Sequence, residues 1–205
     1  MDSKAHWSGV YQTKQANDVS WYQNDPVMSL DFIRRAAPDS AARIVDAGAG
    51  ASTLADHLLD AGYRDLTLID LAAEALDVVR QRLGDRAASV AFVEGDVTAP
   101  PLPTHTYDVW HDRAVFHFLT DEAARREYAD AVRRVLKPGG HTIVATFGPD
   151  GPTQCSGLPV ARYDARTLHV ALGAGFELLD SATEIHRTPW GSEQQFTYIL
   201  CRLQG

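Results

Sequence analysis

Arg43-Ile-Val-Asp-Ala-Gly-Ala-Gly-Ala-Ser-Thr-Leu54 passes from a short apolar run, through two glycines one residue apart, into a helical period. Arg43 to Asp46 reads as a buried strand, Gly48 and Gly50 as a tight turn, and Ser52 to Ala61, closed by Gly62, as a helix. The same unit recurs along the chain. Further strands are expected at Leu66 to Asp70, Val90 to Glu94, Tyr107 to His111, His141 to Thr146, Phe176 to Asp180 and Phe196 to Arg202, seven in all. Helices are expected at Ala72 to Leu83, closed by Gly84, at Asp121 to Leu136, closed by Lys-Pro-Gly-Gly, and at Asp164 to Leu172, closed by Gly173. Crossovers of this length join parallel strands with right-handed topology and cover both faces of the sheet. Glu184 to Gln195 holds no crossover helix, so the last two strands should form an antiparallel hairpin. The expected fold is α/β: a three-layer, doubly wound, seven-stranded sheet, mostly parallel, with the last strand antiparallel.

With 205 residues the chain is long enough for one well-buried core, and a single domain over 1–205 is expected. Residues 1–40, with Trp7, Tyr11, Trp21, Tyr22 and an amphipathic stretch Val27 to Ala37 ended by Pro38, read as a cap over the sheet's edge. Residues 41–205 form the core, with a breaker-rich loop near 147–163 placed as a lid or substrate wall. A net charge of −8, with three lysines, disfavours nucleic acid as a partner, because that affinity is built from clustered cations. The two cysteines form neither a disulfide framework nor a zinc pattern, which fits a reducing compartment. No leader or membrane-spanning run is read in the sequence, so a cytoplasmic, soluble protein with no membrane partner and no bound metal is expected.

In an open parallel sheet, ligands bind outside the carboxyl ends of the strands. Three successive strand ends carry Asp46, Asp70 and Asp96. Asp70 follows Gly50 by about twenty residues, the spacing at which a carboxylate accepts both hydroxyls of a ribose. A dinucleotide would want a third glycine where Thr53 stands, which argues against an NAD-dependent oxidoreductase. Asp46 beside the turn would repel a pyrophosphate but attract the ammonium of a cationic methionyl group.

On these residues the chain resembles the class I S-adenosylmethionine-dependent methyltransferases, of the small bacterial type with small-molecule acceptors. Asp46-Ala-Gly-Ala-Gly50 is similar to that family's first motif, Leu68-Ile-Asp70-Leu71 to its ribose-binding loop, and Glu94-Gly-Asp96-Val97 to its adenine-binding loop. Leu136-Lys-Pro-Gly-Gly140 is similar to the turn before its fifth strand. The resemblance implies a Rossmann-like methyltransferase fold with S-adenosyl-L-methionine as cofactor. Asp96 would then receive the adenine amino group, Leu71 and Val97 would sandwich the ring, and Gly48 would face the methionine. Tyr11 and Trp21 are added as cofactor contacts, since aromatic faces suit a sulfonium.

The family places groups near the transferred methyl at the end of the fourth strand, here His111-Asp112-Arg113 and, further on, His117. If a proton must leave the acceptor, His111, Asp112 or His117 is the candidate base, with His111 also within reach of the cofactor. Arg113, His117, Cys155 and Arg162 are candidate substrate contacts. Each has a plainer reading: a turn-stabilising Asp112, an internal ion pair for Arg113, a packed core His117, a small buried Cys155. A small thiol, chalcogenide or metalloid is the expected acceptor class, with a small carboxylate or hydroxyl compound as a further one. A non-catalytic cofactor-binding module stands beside the enzyme reading, and the oligomeric state is left open.

Overall fold

The computed structural model describes residues 3–205; the head of the N-terminal stretch read for a leader, Met1 and Asp2, lies outside them. In chain order the elements are α1 Ser3–Thr13, α2 Val27–Ala36, β1 Arg43–Ala47, α3 Leu54–Asp60, β2 Asp65–Asp70, α4 Ala73–Leu83, β3 Val90–Glu94 and β4 Tyr107–Arg113. They continue with α5 Glu122–Val135, β5 Leu136–Phe147, the two-residue strands β6 Gln154–Cys155 and β7 Leu158–Pro159, α6 Ala165–Leu172, β8 Phe176–Arg187 and β9 Glu193–Leu203. Seven of the strands form one sheet in the order β3-β2-β1-β4-β5-β9-β8. β1 runs parallel to β2 and β4, and β9 runs antiparallel to both β5 and β8.

Alternate residues along each central strand feed two cores, as the pleat requires. Ile44, Leu68, Ile143 and Leu200 face Phe32 of α2, Leu58 of α3 and Val79 of α4. Val45, Ile69, Val144 and Ile199 face Tyr128 and Val132 of α5 and Leu168 of α6. The three layers expected from the periodicity are therefore present. The helix starts are written locally: Asp121 accepts the Ala124 amide at 2.8 Å, and Asp164 and Thr167 make a reciprocal capping box.

Differences from the expected boundaries have local causes. Ser52 accepts the Leu54 amide at 3.1 Å, so α3 starts two residues later than the pattern indicates. β5 begins at Leu136 and runs through the Lys-Pro-Gly-Gly turn, with a register shift opposite Tyr107 to Val109. The closing hairpin is longer than expected, because the Thr188 amide donates to Ser192 O at 2.9 Å and pairing then extends from Arg187–Glu193 back to Phe176–Leu203. The first forty residues do not form one edge cap. Helix α2 packs on β4 and β5, while α1, a helix not read in the sequence, lies against α4 and sends Trp7 and Tyr11 into the cavity described next.

Candidate functional site

The turn after β1 sits where the strand order reverses, with β2 on one side and β4 on the other. Gly48 and Gly50 have φ of +67° and +54°, a region costly for any residue with a Cβ. Ile69 O accepts the amides of Gly48 and Ala49 at 2.8 and 3.0 Å, locking the turn to β2. Asp70 completes it, one carboxylate oxygen accepting Gly50 N and the other Ala72 N, both at 2.8 Å. Burial pushes the Asp70 carboxyl up to about 6, against the pull of those amides.

Above this turn a cavity encloses about 590 Å³ of space, part of it open to solvent. Gly48, Asp70, Leu71, Gly95 and Val97 form its floor. Trp7, Tyr11, Trp21 and Phe118 wall it, with Trp7 edge-on to Trp21 at 5.7 Å and to Phe118 at 5.2 Å between centroids. Arg113, Ala114, Val115 and Cys155 complete the lining. Ala114 has φ of +71°, an unusual conformation for alanine that turns the chain out of β4 and over the cavity.

A second recess shares Tyr11, Trp21, Gly48 and Arg113 with the first and adds Ser29, Asp46, Gly50 and His111. Here His111 spends both ring nitrogens: Nδ1 lies 2.8 Å from Asp46 Oδ1, and Nε2 lies 2.9 Å from Ser29 Oγ. Ser29 carries no sequence signal for this role, since a serine inside a helix is ordinary and only the packing of α2 on β4 brings it to the histidine.

The other residues singled out in the sequence are placed as follows. Asp112 turns away from both recesses, accepting the amides of Val115 and Phe116 at 3.0 and 3.1 Å and the Tyr128 hydroxyl at 2.7 Å; burial pushes it up to about 6. His117 packs against Phe118 and Phe147 rather than in the cavity lining, with Phe147 N donating to its Nδ1 at 3.3 Å. Its Nε2 has no partner among the described residues, and burial pushes the ring down to about 3. Arg113 donates to Tyr198 Oη at 2.9 Å and Trp21 O at 3.0 Å, pairs with Glu184 at 3.5 Å, and lies over the Phe196 ring. Cys155 lines the cavity at 5% exposure, its thiol pushed up to about 11 by burial. Arg162 is exposed and braces its own loop through Pro149 O and Gly151 O at 2.8 and 3.1 Å. Asp96 is exposed and outside the cavity lining, one oxygen holding the Thr98 amide and hydroxyl at 2.8 Å. Among the described residues no His, Cys, Asp and Glu cluster could hold a metal ion. No described helix is long and apolar enough to cross a membrane.

Residues 44–140 match a family model described as a methyltransferase domain. The chain is 31% identical over 128 residues to the malonyl-acyl-carrier-protein O-methyltransferase of Halalkalibacterium halodurans, covering 60% of this chain and 46% of that protein. It is 27% identical over 148 residues to the mouse eEF1A lysine and N-terminal methyltransferase, covering 69% of this chain and 21% of the other. The chain thus spans less than half the length of either relative. Among solved structures, an S-adenosylmethionine-dependent methyltransferase from Anabaena variabilis superposes with a TM-score of 0.76 at 15% identity, covering 98% of this chain and 93% of that one. That likeness carries the fold.

Proposed function

We propose that the chain is a class I S-adenosylmethionine-dependent methyltransferase that transfers a methyl group to a small-molecule acceptor, with thiols, chalcogenides and metalloids foremost. The observation carrying this reading is the buried Asp70 beside the Gly48–Gly50 turn, opening on an apolar cavity walled by aromatic rings. Asp70 would hold the ribose, Leu71 and Val97 the adenine faces, Asp96 its amino group, and Gly48 and Gly50 the methionyl backbone. Asp46, steadied by His111, would meet the methionyl ammonium, and Tyr11 and Trp21 would close over the sulfonium. The cofactor supplies a methyl carbon already activated by a positive sulfur. The protein's part is positioning, exclusion of water and a complementary field.

Enclosure by α1 favours a small acceptor over a protein side chain, and the net charge of −8 disfavours nucleic acid. A cytoplasmic location is part of the same proposal. Titration calorimetry with S-adenosylmethionine, S-adenosylhomocysteine and NADH, followed by an acceptor screen grouped by sulfur, oxygen, nitrogen and metalloid nucleophiles, tests it. Micromolar cofactor binding with turnover of a small acceptor is expected. Binding of NADH alone would sink the reading, and cofactor binding with no turnover would leave a non-catalytic module.

A further inference from the structure

The cavity is well supplied with rings and poor in bases. Among the described residues its titratable lining groups are Asp70, Tyr11, Cys155 and Arg113. Asp70 lies at the end of β2, tied to the turn by two amides. Burial and the nearby Asp70 carboxylate keep the Tyr11 phenol protonated, and burial keeps the Cys155 thiol protonated. The histidines around the cavity are committed elsewhere. His111 faces Asp46 and Ser29, His117 is sealed between Phe118 and Phe147, His186 bonds Ser20 O at 2.7 Å, and His6 lies 3.2 Å from Ser156 Oγ. Asp112 points into the opposite core, and Glu184 pairs with Tyr198 and Arg113.

What the lining does hold is one half-buried cation. Of the five N–H donors on a guanidinium, Arg113 spends three, on Tyr198, Trp21 and Glu184. One proton on each terminal nitrogen has no acceptor among the described residues.

We infer that the methyl acceptor enters this cavity already ionised, as a small thiolate or selenolate drawn by Arg113; the inference rests on the methyl-transfer reading above. No proton then has to be removed at the site. The chalcogen lone pair forms the bond to the methyl carbon as the carbon–sulfonium bond breaks, and its electron pair stays on the departing sulfur. An anion and a cation become two neutral molecules, a change that an apolar, water-poor cavity accelerates. Softness follows from the donor count: two spare N–H donors suit a weakly hydrated, polarisable anion better than a carboxylate with four lone-pair directions to fill.

The test uses 4-nitrothiophenol, whose thiolate absorbs in the visible, titrated from acid to alkaline pH with and without the protein and before any cofactor is added. The bound probe is expected to ionise about one pH unit lower than the free thiol, a tenfold preference for the anion. Arg113→Met should abolish the shift. Glu184→Gln, which removes the counter-charge outside the lining, should enlarge it, and it serves where the arginine variant does not fold. With S-adenosylmethionine present, kcat/KM across a series of small thiols should rise with pH at a midpoint that follows each thiol's own pKa. A probe that titrates as it does in free solution, one fixed midpoint for all thiols, or turnover of phenols, amines or carboxylates with thiols inert would overturn the inference. Cofactor binding with no product from any acceptor class would defeat the methyl-transfer reading itself.

Discussion

His111 Nδ1 lies 2.8 Å from Asp46 Oδ1, with both side chains buried at the carboxyl ends of neighbouring strands. The register pairs these two residues directly across β1 and β4, so their contact follows from strand order rather than from a flexible loop. Asp46→Ala leaves a buried ring nitrogen unmet and should cost about 1–3 kcal/mol in urea unfolding. Asp46→Asn keeps an acceptor and should stay near wild-type stability. Both variants should bind S-adenosylmethionine more weakly by calorimetry, because both remove the charge. Equal stability of the Ala and Asn variants would show that the pair contributes nothing to the fold.

Cofactor affinity should depend on the ionisation of Asp70. Its folded pKa, pushed up to about 6, lies above the ordinary carboxylate value. The protonated form is thus favoured in the ligand-free fold. Its stabilising contribution is full below the unfolded pKa and is lost as pH rises through about 6. A bound ribose reverses the preference, so affinity should fall as pH drops below about 6, by up to tenfold per unit. Asp70→Ala should flatten that profile and weaken binding at pH 8 by about 1–3 kcal/mol. An unchanged affinity in this variant removes Asp70 from the site.

Gly48 is required on two separate grounds. A Cβ there would overlap Val115 Cγ2, and the backbone stands at φ +67°. Gly48→Ala should destabilise by about 1–2 kcal/mol from the backbone alone, with the overlap added. Pairing it with Val115→Ala relieves only the overlap, so a double-mutant cycle should recover part of the loss. Full recovery would mean the left-handed backbone costs nothing.

Acid sensitivity should trace to His117, whose folded pKa is pushed down to about 3. Its neutral form is favoured in the fold, so the contribution is present above the unfolded value near 6.5 and is lost as pH falls toward about 3. Between pH 7.5 and 5.5 this one group should cost roughly 1 kcal/mol. The difference between wild type and His117→Phe, measured by urea unfolding at both pH values, isolates it from the opposing shifts of Asp70 and Asp112. A pH-independent difference would show that the ring is already solvated in the fold.

Both cysteines should resist a thiol reagent in the native state. Cys155 and Cys201 are buried, with thiols pushed up to about 11 and about 12. Ellman's reagent at neutral pH should therefore titrate neither within minutes and both in urea. Rapid native labelling of Cys155, tracked by mass spectrometry, would show a more open cavity.

The layer order and the location of the glycine turn after β1 were readable along the chain, because both rest on local physics. A strand buried on both faces must be apolar throughout, a helix ends where a left-handed residue is available, and Gly48 and Gly50 sit at such a junction. Asp46 and Asp70 could be located for the same reason, each being the last residue of a short apolar run. Less was legible at β4. The run His111-Asp112-Arg113 alternates by pleat, so consecutive residues point to opposite faces, and nothing local tells which of them meets the ligand. Ser29, Phe118 and Val115 carry no motif, and α1 has no buried residue of its own that periodicity could detect.

The chain's order of strands, glycines and carboxylates therefore fixes an α/β sheet and a glycine turn flanked by carboxylates, since each is built from residues adjacent in sequence. The ring of Trp7, Trp21 and Phe118, the setting of His111 between Asp46 and Ser29, and the contacts of Arg113 with Trp21, Glu184 and Tyr198 bring together groups separated by tens of residues. Such contacts depend on how α1 and α2 pack back over the sheet and on where the β8–β9 hairpin returns, and those are matters of long-range burial that no local pattern encodes.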